Sequence, residues 1–594
     1  MLCALAAGAA ASASGVQASP QCTPSVIDAS ARLPGTPLLV TPAPGARDAM
    51  PQTQISLLGA PAATLEVRTV VGSLTGPHLG RIAAYSQRDG ASFVPDVAFV
   101  AGETVTVTGG WTGRPFSWSF VVGDPDPISR IPVAASRSAK PGTVLHFVSA
   151  PALTPDSLSV TVTSATARRD GDIFTAPYPG PGRAGPAIFD PEGRLVWFDP
   201  LPAGLFATNV RVQRYRGRPV LTWWQGTISR HGFGLGTGEI DSTSYRRIAT
   251  VRAGDGLAAD LHELQVTPAG TALITAWKPL YCDLSSVGGS ASAAVYDACL
   301  QEIDIATGLV MWEWDSIDHV ALADSYMPVR GASAAWPYDW FHLNSIALGA
   351  GGAIVISARS TWALYELDST TGEVDWEVGG RSPTFAQGPG TATAWQHDAR
   401  VLGPDTVSAF DNGGPPSTQT HSRGVVLHVD PATRQVSLVA SVVIPTPIFA
   451  QTQGNLERLP DGNWWIGWGN VNESSEVTPG GQRLFEAHTP AGSESYRTLR
   501  YPWSATAPGA PRIALAHARG GATKVYASWN GATAVARWRL SAGSAPGEMH
   551  PIGSVARGGF ESVLRAPGTA AYVAVTALDR GGRALGRSRT LATR

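Results

Sequence analysis

Residues 303–314 read IDIATGLVMWEW, and this stretch decides the fold. An apolar run ends at Asp304, Thr307 and Gly308 follow as turn formers, and large apolar side chains resume at Leu309. Turn residues between two short apolar runs are typical of a β-hairpin, so the stretch predicts two antiparallel strands. The same phrase recurs at 188–198, 367–378 and 428–439, with weaker copies at 239–251 and 477–487.

The spacing of these copies indicates the architecture. The separations are 51, 63, 64, 62 and 48 residues, between turns that begin at Asp190, Asp241, Asp304, Asp368, Asp430 and Thr478. Strands that end in polar or aromatic clusters, such as PVLTWWQG and NWWIGWGN, alternate with the copies. A repeat of this length, made of strands and tight turns, predicts a six-bladed β-propeller with one four-stranded blade per repeat. A β-solenoid is the alternative, disfavoured because no shorter constant repeat is visible.

Composition excludes several classes of protein. The 594 residues contain 44 Lys and Arg against 46 Asp and Glu, a net charge of −2 with no basic block, which argues against a nucleic-acid partner. A hydrophobic content of 43% is too high for a disordered chain. No stretch after the N-terminal segment reaches the ~18 apolar residues of a spanning helix, so no integral membrane segment is predicted. The 66 Gly and 46 Pro fit an all-β chain of short strands and turns.

The flanks of the repeat predict further domains. Alternating runs such as ETVTVTGGW predict an N-terminal Ig-like β-sandwich over 24–130, before the propeller at 131–507. Strand spacing and a buried Trp predict a fibronectin-III-like sandwich over 508–594, although its first strand, within 508–530, could instead complete the last blade. Residues 1–21 resemble a secretory signal that lacks a positive start, and they predict a secreted or cell-envelope protein.

The cysteines are few and widely spaced. Cys282 and Cys299 lie 17 residues apart in a Ser-, Gly- and Ala-rich stretch, which predicts a disulfide in an oxidising compartment. Two free thiols are the alternative, and Cys22 has no evident partner. None of the cysteines has the C-x-x-C spacing of a zinc site.

Three histidines occupy equivalent places in consecutive repeats. His262, His342 and His397 each stand just before a strand, a turn and a second strand. Equivalent positions in a propeller converge on its axis, so we expect the three side chains to meet. Arg359 ends the strand that follows His342 and is expected to reach the same place. A lone histidine is more often structural, but three in register with an arginine favour a small-anion site.

The residues around these positions resemble a known family. The motifs are D-L-H-E at 260–263, D-W-F-H-x-N-S-I at 339–346, S-A-R-x-T-W at 357–362, W-E-V-G-G at 376–380, W-Q-H-D-A-R at 395–400 and F-D-N-G at 410–413. Together they resemble the arylsulfotransferases, over about residues 30–590, and most of all a secreted branch with a sandwich before the propeller. The C-terminal sandwich and the place of the cysteine pair depart from the family pattern.

The resemblance implies a reaction and a set of roles. His397 matches the nucleophile that takes up the sulfuryl group as sulfohistidine, and His262, His342 and Arg359 match the groups that hold the sulfate oxygens. The family is six-bladed and exported, and it transfers the group from an aryl sulfate to a phenol without a nucleotide donor. Both half-reactions can share one site, which predicts ping-pong kinetics. No cofactor or metal is therefore expected. The natural donor, the acceptor and the oligomeric state are left open.

Elementary chemistry agrees with these roles. Sulfuryl transfer resembles phosphoryl transfer, whose loose transition state is stabilised by positioning and charge. A neutral imidazole is a competent nucleophile, and a guanidinium fork matches sulfate oxygens. Asp398 is a weak candidate to orient His397, because neighbours on a strand point to opposite faces.

Four further residues are weaker candidates for substrate contact. Asn344 is a possible donor to sulfate, and three tryptophans, Trp277, Trp340 and Trp395, are candidates for the wall around an aromatic ring. For at least two of the three tryptophans, packing within a blade is the alternative reading.

Two other functions stay open. Three histidines are also the ligand set of a zinc hydrolase, although Arg359 would repel a nearby dication. A propeller between two sandwiches is also typical of a secreted binding module without catalysis, because a fold does not fix a function.

Overall fold

The computed structural model describes residues 21–126, 140–167, 171–517 and 521–593. It is 47% strand and 3% helix, which confirms the predicted all-β class. The helical turns are short: α1 at Ser316–His319, and 3-10 turns at Ala62–Thr64, Ser285–Val287, Leu322–Asp324 and Ala350–Gly352. Among the described residues, no helix is long and apolar enough to cross a membrane. Apart from its last residue, the predicted signal segment at 1–21 lies outside the described residues, as does the predicted boundary at 130–131.

The N-terminal part consists of two four-stranded sheets around one core. Its strands are β1 Leu39–Thr41, β2 Ile55–Leu58, β3 Leu65–Gly72, β4 Gly76–Pro77, β5 Gly80–Ala84, β6 Gly90–Pro95, β7 Thr104–Trp111 and β8 Arg114–Val121. The sheet orders are β1-β2-β6-β5 and β4-β3-β7-β8. Val105 and Val107 alternate with polar residues along β7 and pack with Ile55 and Leu57 of the facing sheet. The two sheets therefore form a β-sandwich within the predicted range 24–130.

The central part contains the strands from β9 to β34. The first half is β9 Ser159–Val162, β10 Asp172–Thr175, β11 Ala187–Phe189, β12 Leu195–Phe198, β13 Phe206–Tyr215, β14 Arg218–Ile228, β15 Gly234–Ser242, β16 Arg247–Val251, β17 Leu264–Val266, β18 Thr271–Cys282, β19 Ala293–Asp304 and β20 Val310–Asp315. The second half is β21 Leu343–Leu348, β22 Ile354–Ala358, β23 Ala363–Leu367, β24 Val374–Gly379, β25 Ala386–Gln387, β26 His397–Gly403, β27 Thr406–Asp411, β28 Arg423–Asp430, β29 Gln435–Val442, β30 Asn455–Arg458, β31 Trp464–Gly467, β32 Glu473–Val477, β33 Arg483–His488 and β34 Leu499–Tyr501.

These strands form six antiparallel sheets in sequence. The first sheet has the order β34-β10-β11-β12, and the next three are β13 to β16, β17 to β20 and β21 to β24. The fifth is β26 to β29 with β25 added at its edge, and the sixth is β30 to β33 with β9 added. Contacts run from each sheet to the next, and β34 contacts both β13 and β31. The six sheets therefore close into a ring, and the late strand β34 completes the sheet formed by early strands.

The repeated phrase falls at one place in every sheet. Each of its six copies spans the hairpin between the third and fourth strands, as Asp304 does between β19 and β20 and Asp368 does between β23 and β24. The alternating motif, in PVLTWWQG and NWWIGWGN, supplies the second strands β14 and β31. The unequal separations reflect loops of unequal length between sheets that share the same four-strand pattern.

The C-terminal part is a second sandwich. Its strands are β35 Arg512–His517, β36 Thr523–Ser528, β37 Arg537–Gly543, β38 His550–Ala556, β39 Glu561–Ala566, β40 Tyr572–Leu578, β41 Ala584–Arg587 and β42 Leu591–Ala592. One sheet is β35-β36-β39, and the other is β38-β37-β40-β41, with β42 also paired to β40. Trp538 of one sheet and Val525 of the other belong to the same core. The strands between 508 and 530 therefore belong to this sandwich, while β34 completes the ring.

The predicted pairing of Cys282 with Cys299 is wrong. Cys282 is bonded to Cys22, with their Cα atoms 5.4 Å apart, and Cys299 is a free, buried thiol. Cys282 and Cys299 lie on the paired strands β18 and β19, but Cys282 faces Ala293, six residues from Cys299. Six residues of strand span about 20 Å, well beyond the reach of a disulfide. Spacing in sequence could not reveal the register of this long hairpin.

The disulfide gives a first prediction. Cys22→Ser and Cys282→Ser should each lower the free energy of unfolding by about 2–5 kcal/mol, because either change frees the same long loop in the unfolded chain. The double variant should lose no more than either single variant, as measured by urea unfolding without reductant. The control is peptide mapping of unreduced protein, in which Cys299 should be recovered as a free thiol. An additive double variant would contradict the pairing.

Candidate active site

A cavity of about 690 Å³ opens at one end of the ring. Its wall comes from the loops that lead from one sheet into the next and from those between second and third strands, including 228–232, 327–339 and 452–453. Loops on one end of a ring of sheets lie side by side, so residues far apart in sequence share this wall. The cavity is the natural place for a functional site.

The structure places the four side chains singled out from the sequence in this wall. His262, His342, Arg359 and His397 all line the cavity. The rings of His262 and His342 have centroids 5.0 Å apart. Tyr496, which also lines the cavity, lies with its ring 5.2 Å from that of His262 and 6.3 Å from that of His397.

Hydrogen bonds fix the tautomer of His397. Its Nδ1–H donates to Oδ1 of Asn412 at 2.7 Å, while its Nε2 accepts from the backbone N–H of Gln453 at 3.3 Å. Burial and then the Arg359 cation hold the pKa of His397 well below its usual value. At neutral pH the imidazole is therefore uncharged, and its Nε2 carries an unprotonated electron pair that is engaged by the long hydrogen bond from Gln453.

Asn412 is the functional residue that sequence reasoning missed. Its Nδ2 donates to the carbonyl oxygens of Ala450 and Gln453, both at 2.9 Å, which turns its Oδ1 toward His397. Asp398 does not contact this imidazole, because its carboxylate pairs with Arg400 at 2.7 Å and Arg497 at 2.8 Å. The signal for Asn412 was present in the F-D-N-G motif, but pairing across two strands placed it beside His397.

The other two histidines are each paired with a carboxylate. Nδ1 of His262 lies 2.5 Å from Oδ2 of the fully buried Asp260, and Nδ1 of His342 lies 2.5 Å from Oδ2 of Asp339. Burial lowers the pKa of His342, while the Asp339 carboxylate opposes that shift. A carboxylate on Nδ1 keeps the proton there and leaves Nε2 as the reactive nitrogen, the arrangement used in acid–base catalysis.

Arg359 supplies a permanent positive charge beside the histidines, and Arg230 and Arg330 line the same cavity. Its guanidinium lies 4.6 Å from the centre of the Trp395 ring, and its backbone N–H donates to the carbonyl oxygen of His342. Burial lowers its pKa to about 10, so it stays charged at neutral pH. In the described part of the chain, no side chain or backbone group accepts a hydrogen bond from this guanidinium. Its donors are therefore free to bind an anion.

The backbone is strained at two cavity residues. His342 has a φ of 61° and Gln453 a φ of 65°, a left-handed conformation that costs a non-glycine residue about 1–3 kcal/mol. Packing around the cavity holds both conformations, and such strain is concentrated at functional sites.

The four predicted substrate-contact residues lie behind the wall and do not line the cavity. Asn344 is fully buried and donates to the carbonyl oxygen of Gln396. Trp277 packs against the rings of His262 and His342, Trp395 lies against Arg359, and Trp340 packs against a neighbouring phenylalanine. Their positions support the side chains that do face the cavity.

The aromatic wall comes from residues that the sequence did not single out. Among them are Tyr178, Tyr296, Tyr338 and Trp336, and Trp336 is 61% exposed at the rim with its ring 4.5 Å from that of His231. Tyr296 lies on β19. Tyr178, Trp336 and Tyr338 lie in loops of irregular length, so no repeat pattern marks them.

A buried ion network lies beneath the cavity. Glu263, which follows His262, pairs with Arg211 at 3.0 Å, Arg400 at 2.8 Å and Arg497 at 3.1 Å. Burial raises the pKa of Glu263, but the three guanidinium groups outweigh this and lower it to about 2. The network joins residues from several sheets directly under the histidines.

The ring of sheets and this cavity define an all-β protein with a cationic pocket around an unprotonated histidine. Residues 211–489 match the family model described as Arylsulfotransferase (ASST), and the range includes His262, His342, Arg359 and His397. The chain thus carries an arylsulfotransferase-family domain over those residues, as the sequence motifs predicted. This match supports a sulfotransferase-type function.

Other comparisons add no functional information. No curated protein matches the chain. Similar solved structures include a Bacteroides caccae protein of unknown function, with 11% identity, a TM-score of 0.34, and coverage of 56% of this chain and 99% of that one. Another is a catalytically inactive variant of the virginiamycin B lyase of Staphylococcus aureus with quinupristin, with 10% identity, a TM-score of 0.27, and coverage of 63% and 96%. A third is the NanB sialidase of Streptococcus pneumoniae, with 8% identity, a TM-score of 0.23, and coverage of 76% and 71%.

The ion network gives a prediction about stability. Glu263→Gln should cost about 3–5 kcal/mol of unfolding free energy at pH 7, since it leaves buried guanidinium groups without their carboxylate. The pKa of Glu263 is lowered on folding, so its stabilisation is present above the unfolded value of ~4.3 and is lost as the pH falls toward about 2. Urea unfolding followed by tryptophan fluorescence at pH 7 and at pH 3 measures both effects.

The matched control is Glu66→Gln, which removes an exposed carboxylate paired with Arg68 and should cost no more than ~1 kcal/mol. Equal midpoints for Glu263→Gln and wild type at pH 7 would contradict the role of the network. If Glu263→Gln does not fold, the wild-type loss of stability between pH 5 and pH 2 still tests the sign of the effect.

Proposed function

We propose that this protein is an arylsulfotransferase that moves a sulfuryl group from an aryl sulfate donor to a phenolic acceptor through a sulfohistidine at His397. The observation that carries the proposal is the position of an uncharged imidazole beside the free guanidinium of Arg359, in one cavity with two carboxylate-bound histidines. A nucleophile, an anion clamp and acid–base groups are the parts that this transfer needs.

In the first half-reaction, Nε2 of His397 forms a bond to the sulfur of the donor. The bond between sulfur and the aryl oxygen breaks, and its electron pair leaves with the phenolate. Arg359 holds the sulfonate oxygens through its fork of N–H donors, which lowers the cost of the charge that spreads over them. Asn412 keeps the Nδ1 proton of His397 in place, so the nucleophilic electron pair stays on Nε2.

His262 and His342 serve as oxygen-binding and acid–base groups. Protonated at Nε2, either one can donate a proton to the departing phenolate and remain stabilised by its carboxylate partner, Asp260 or Asp339. In the second half-reaction the same nitrogen takes the proton of the acceptor phenol, whose oxygen attacks the sulfur and releases His397. One site performs both halves, so ping-pong kinetics without a nucleotide donor or other cofactor are expected.

The fold completes the proposal. We propose that the closed ring of six sheets is a six-bladed β-propeller, that the N-terminal sandwich is Ig-like and that the C-terminal sandwich is fibronectin-III-like. The Cys22–Cys282 disulfide supports an extracytoplasmic location, because disulfides persist in oxidising compartments. Trp277, Trp340, Trp395 and Asn344 then act from behind the cavity wall.

The two other functions have less support. For a zinc hydrolase, three ligand nitrogens must converge on one ion, but His262, His342 and His397 do not bring three nitrogens within 4.8 Å of one another. A binding module without catalysis needs neither a fixed tautomer nor paired histidine–carboxylate groups. Retention of an aryl sulfate without turnover would favour that module.

The reaction predicts a covalent intermediate. Incubation with a chromogenic aryl sulfate and no acceptor should add one sulfuryl group to the intact protein, and peptide mapping should place it on His397. His397→Asn should abolish both the added mass and the release of phenol. The matched control is His231→Asn, which alters a histidine of the same cavity outside the proposed machinery and should keep the label. A label that persists in His397→Asn would assign the nucleophile elsewhere.

Asn412 predicts a separate effect. Asn412→Ala removes the nearer acceptor of the His397 Nδ1 proton and leaves the carbonyl oxygen of Trp395 at 3.1 Å. The kcat should therefore fall roughly 10- to 100-fold, while the KM for the donor changes little. The control is Ser422→Ala, because Ser422 holds the backbone of both Asn412 and Ala450 without touching His397. Steady-state kinetics with both variants separate the two effects. An equal loss of kcat in both variants would reduce Asn412 to a loop anchor.

A further inference from the structure

A second cluster of charged groups lies where the N-terminal sandwich meets the third sheet, and none of its members lines the cavity. Asp48 comes from the loop between β1 and β2, Asp297 from β19 and Asp315 from the end of β20. All three are buried, and one ligand oxygen from each lies within 4.8 Å of those of the other two. Nothing in the proposed reaction uses this cluster.

The cluster has too few positive charges. Lys278 lies 2.9 Å from Asp48, 2.9 Å from Glu313 and 2.7 Å from Asp315, and it is the one basic side chain that pairs with these acids in the described part of the chain. One ammonium cannot balance four buried carboxylates. Buried charges of one sign are retained only with protons, counter-ions or metals.

The hydrogen bonds leave one oxygen free on each acid of the triad. Lys278 contacts Oδ2 of Asp48 and of Asp315, and Asp297 Oδ1 accepts from Ser316 Oγ and Ile317 N. The other oxygen of each carboxylate is buried and accepts no hydrogen bond from a donor group, and the carboxylates of Asp48 and Asp297 lie within hydrogen-bond distance of each other. These are the donor atoms that a bound cation would use.

Asp318 gives an independent indication. It lies in the buried turn α1, is 6% exposed, and its Oδ1 has no hydrogen-bond partner. The charged groups that act on it include Asp48, Lys278 and Asp297, so it lies within electrostatic reach of the same cluster. With Glu313, Asp318 brings the buried carboxylates near Lys278 to five, and it adds to the negative potential there.

We propose that Asp48, Asp297 and Asp315 bind one calcium ion beside Lys278 and so tie the N-terminal sandwich to the third sheet. Carboxylate oxygens are the ligands of hard cations, and oxygens within 4.8 Å of one another lie close to the spacing that one ion bound at about 2.3–2.6 Å requires. Calcium binds carboxylates through one or both oxygens in flexible geometry and completes its shell with water, whereas magnesium demands a near-octahedral shell. Three acids from three separate elements therefore favour calcium.

The first test uses the full-length wild-type chain. After dialysis against EDTA, calcium chloride should bind with one equivalent per chain in calorimetry, and the melting temperature should rise with calcium concentration. Magnesium chloride and zinc chloride at equal concentration serve as comparison ions. Binding of zinc without binding of calcium would overturn the choice of ion. If none of the three ions binds or raises the melting temperature, the cluster consists of protonated carboxylates only and the proposed site is overturned.

The second test is a crossover with Asp48→Asn. In EDTA this variant should melt at or above the wild-type temperature, since it removes an unbalanced buried charge. In calcium the order should reverse, since the variant lacks a ligand. The matched control is Asp304→Asn, which changes a buried acid of β19 that also bonds the sandwich, through Ser86, but lies outside the cluster. In Asp304→Asn, calcium should raise the melting temperature as much as it does in wild type. If Asp48→Asn melts above wild type both in EDTA and in calcium, the proposal is overturned.

Discussion

The buried ion network around Glu263 is the interaction on which the site depends. Glu263 and Asp398 share Arg400 and Arg497 and thereby connect the third, fifth and first sheets, while Arg211 adds the second. Each of these acids directly follows a histidine of the cavity. Fixing Glu263 and Asp398 under the cavity floor therefore fixes the backbone from which His262 and His397 project. Buried ion pairs of this kind are costly to break, so they hold a single arrangement of the sheets.

The cavity carries a local positive charge that the net charge of the whole chain does not reveal. A net charge of −2 describes a nearly neutral molecule, but the cavity has the Arg359 cation beside three histidines. The carboxylates near it, Asp260 and Asp339, are engaged by imidazole nitrogens. An anion that enters the cavity can therefore accept hydrogen bonds from the Arg359 guanidinium and from the Nε2 side of His262 and His342. Burial of the site strengthens each of these interactions.

The fold could be predicted further than the site. Alternation of turn residues and large apolar side chains located all six third-to-fourth-strand hairpins, because that pattern is local in sequence. The cysteine pairing failed because it depends on strand register, which placed Cys282 opposite Ala293. Asn412 was missed because its contact with His397 crosses two paired strands. The tryptophans expected to touch substrate are buried, since a large apolar ring next to a polar site also has a place in the core.

The sequence by itself determined the all-β class, the period of the repeat and the register of His262, His342 and His397 within it, because these follow from local turn chemistry and side-chain alternation. The tertiary structure alone decided which atoms face each other: Asn412 on His397, Cys22 on Cys282, and Lys278 among the acids of the sandwich boundary. Closure of the ring brings these partners together from distant parts of the chain, and no local pattern encodes such distances.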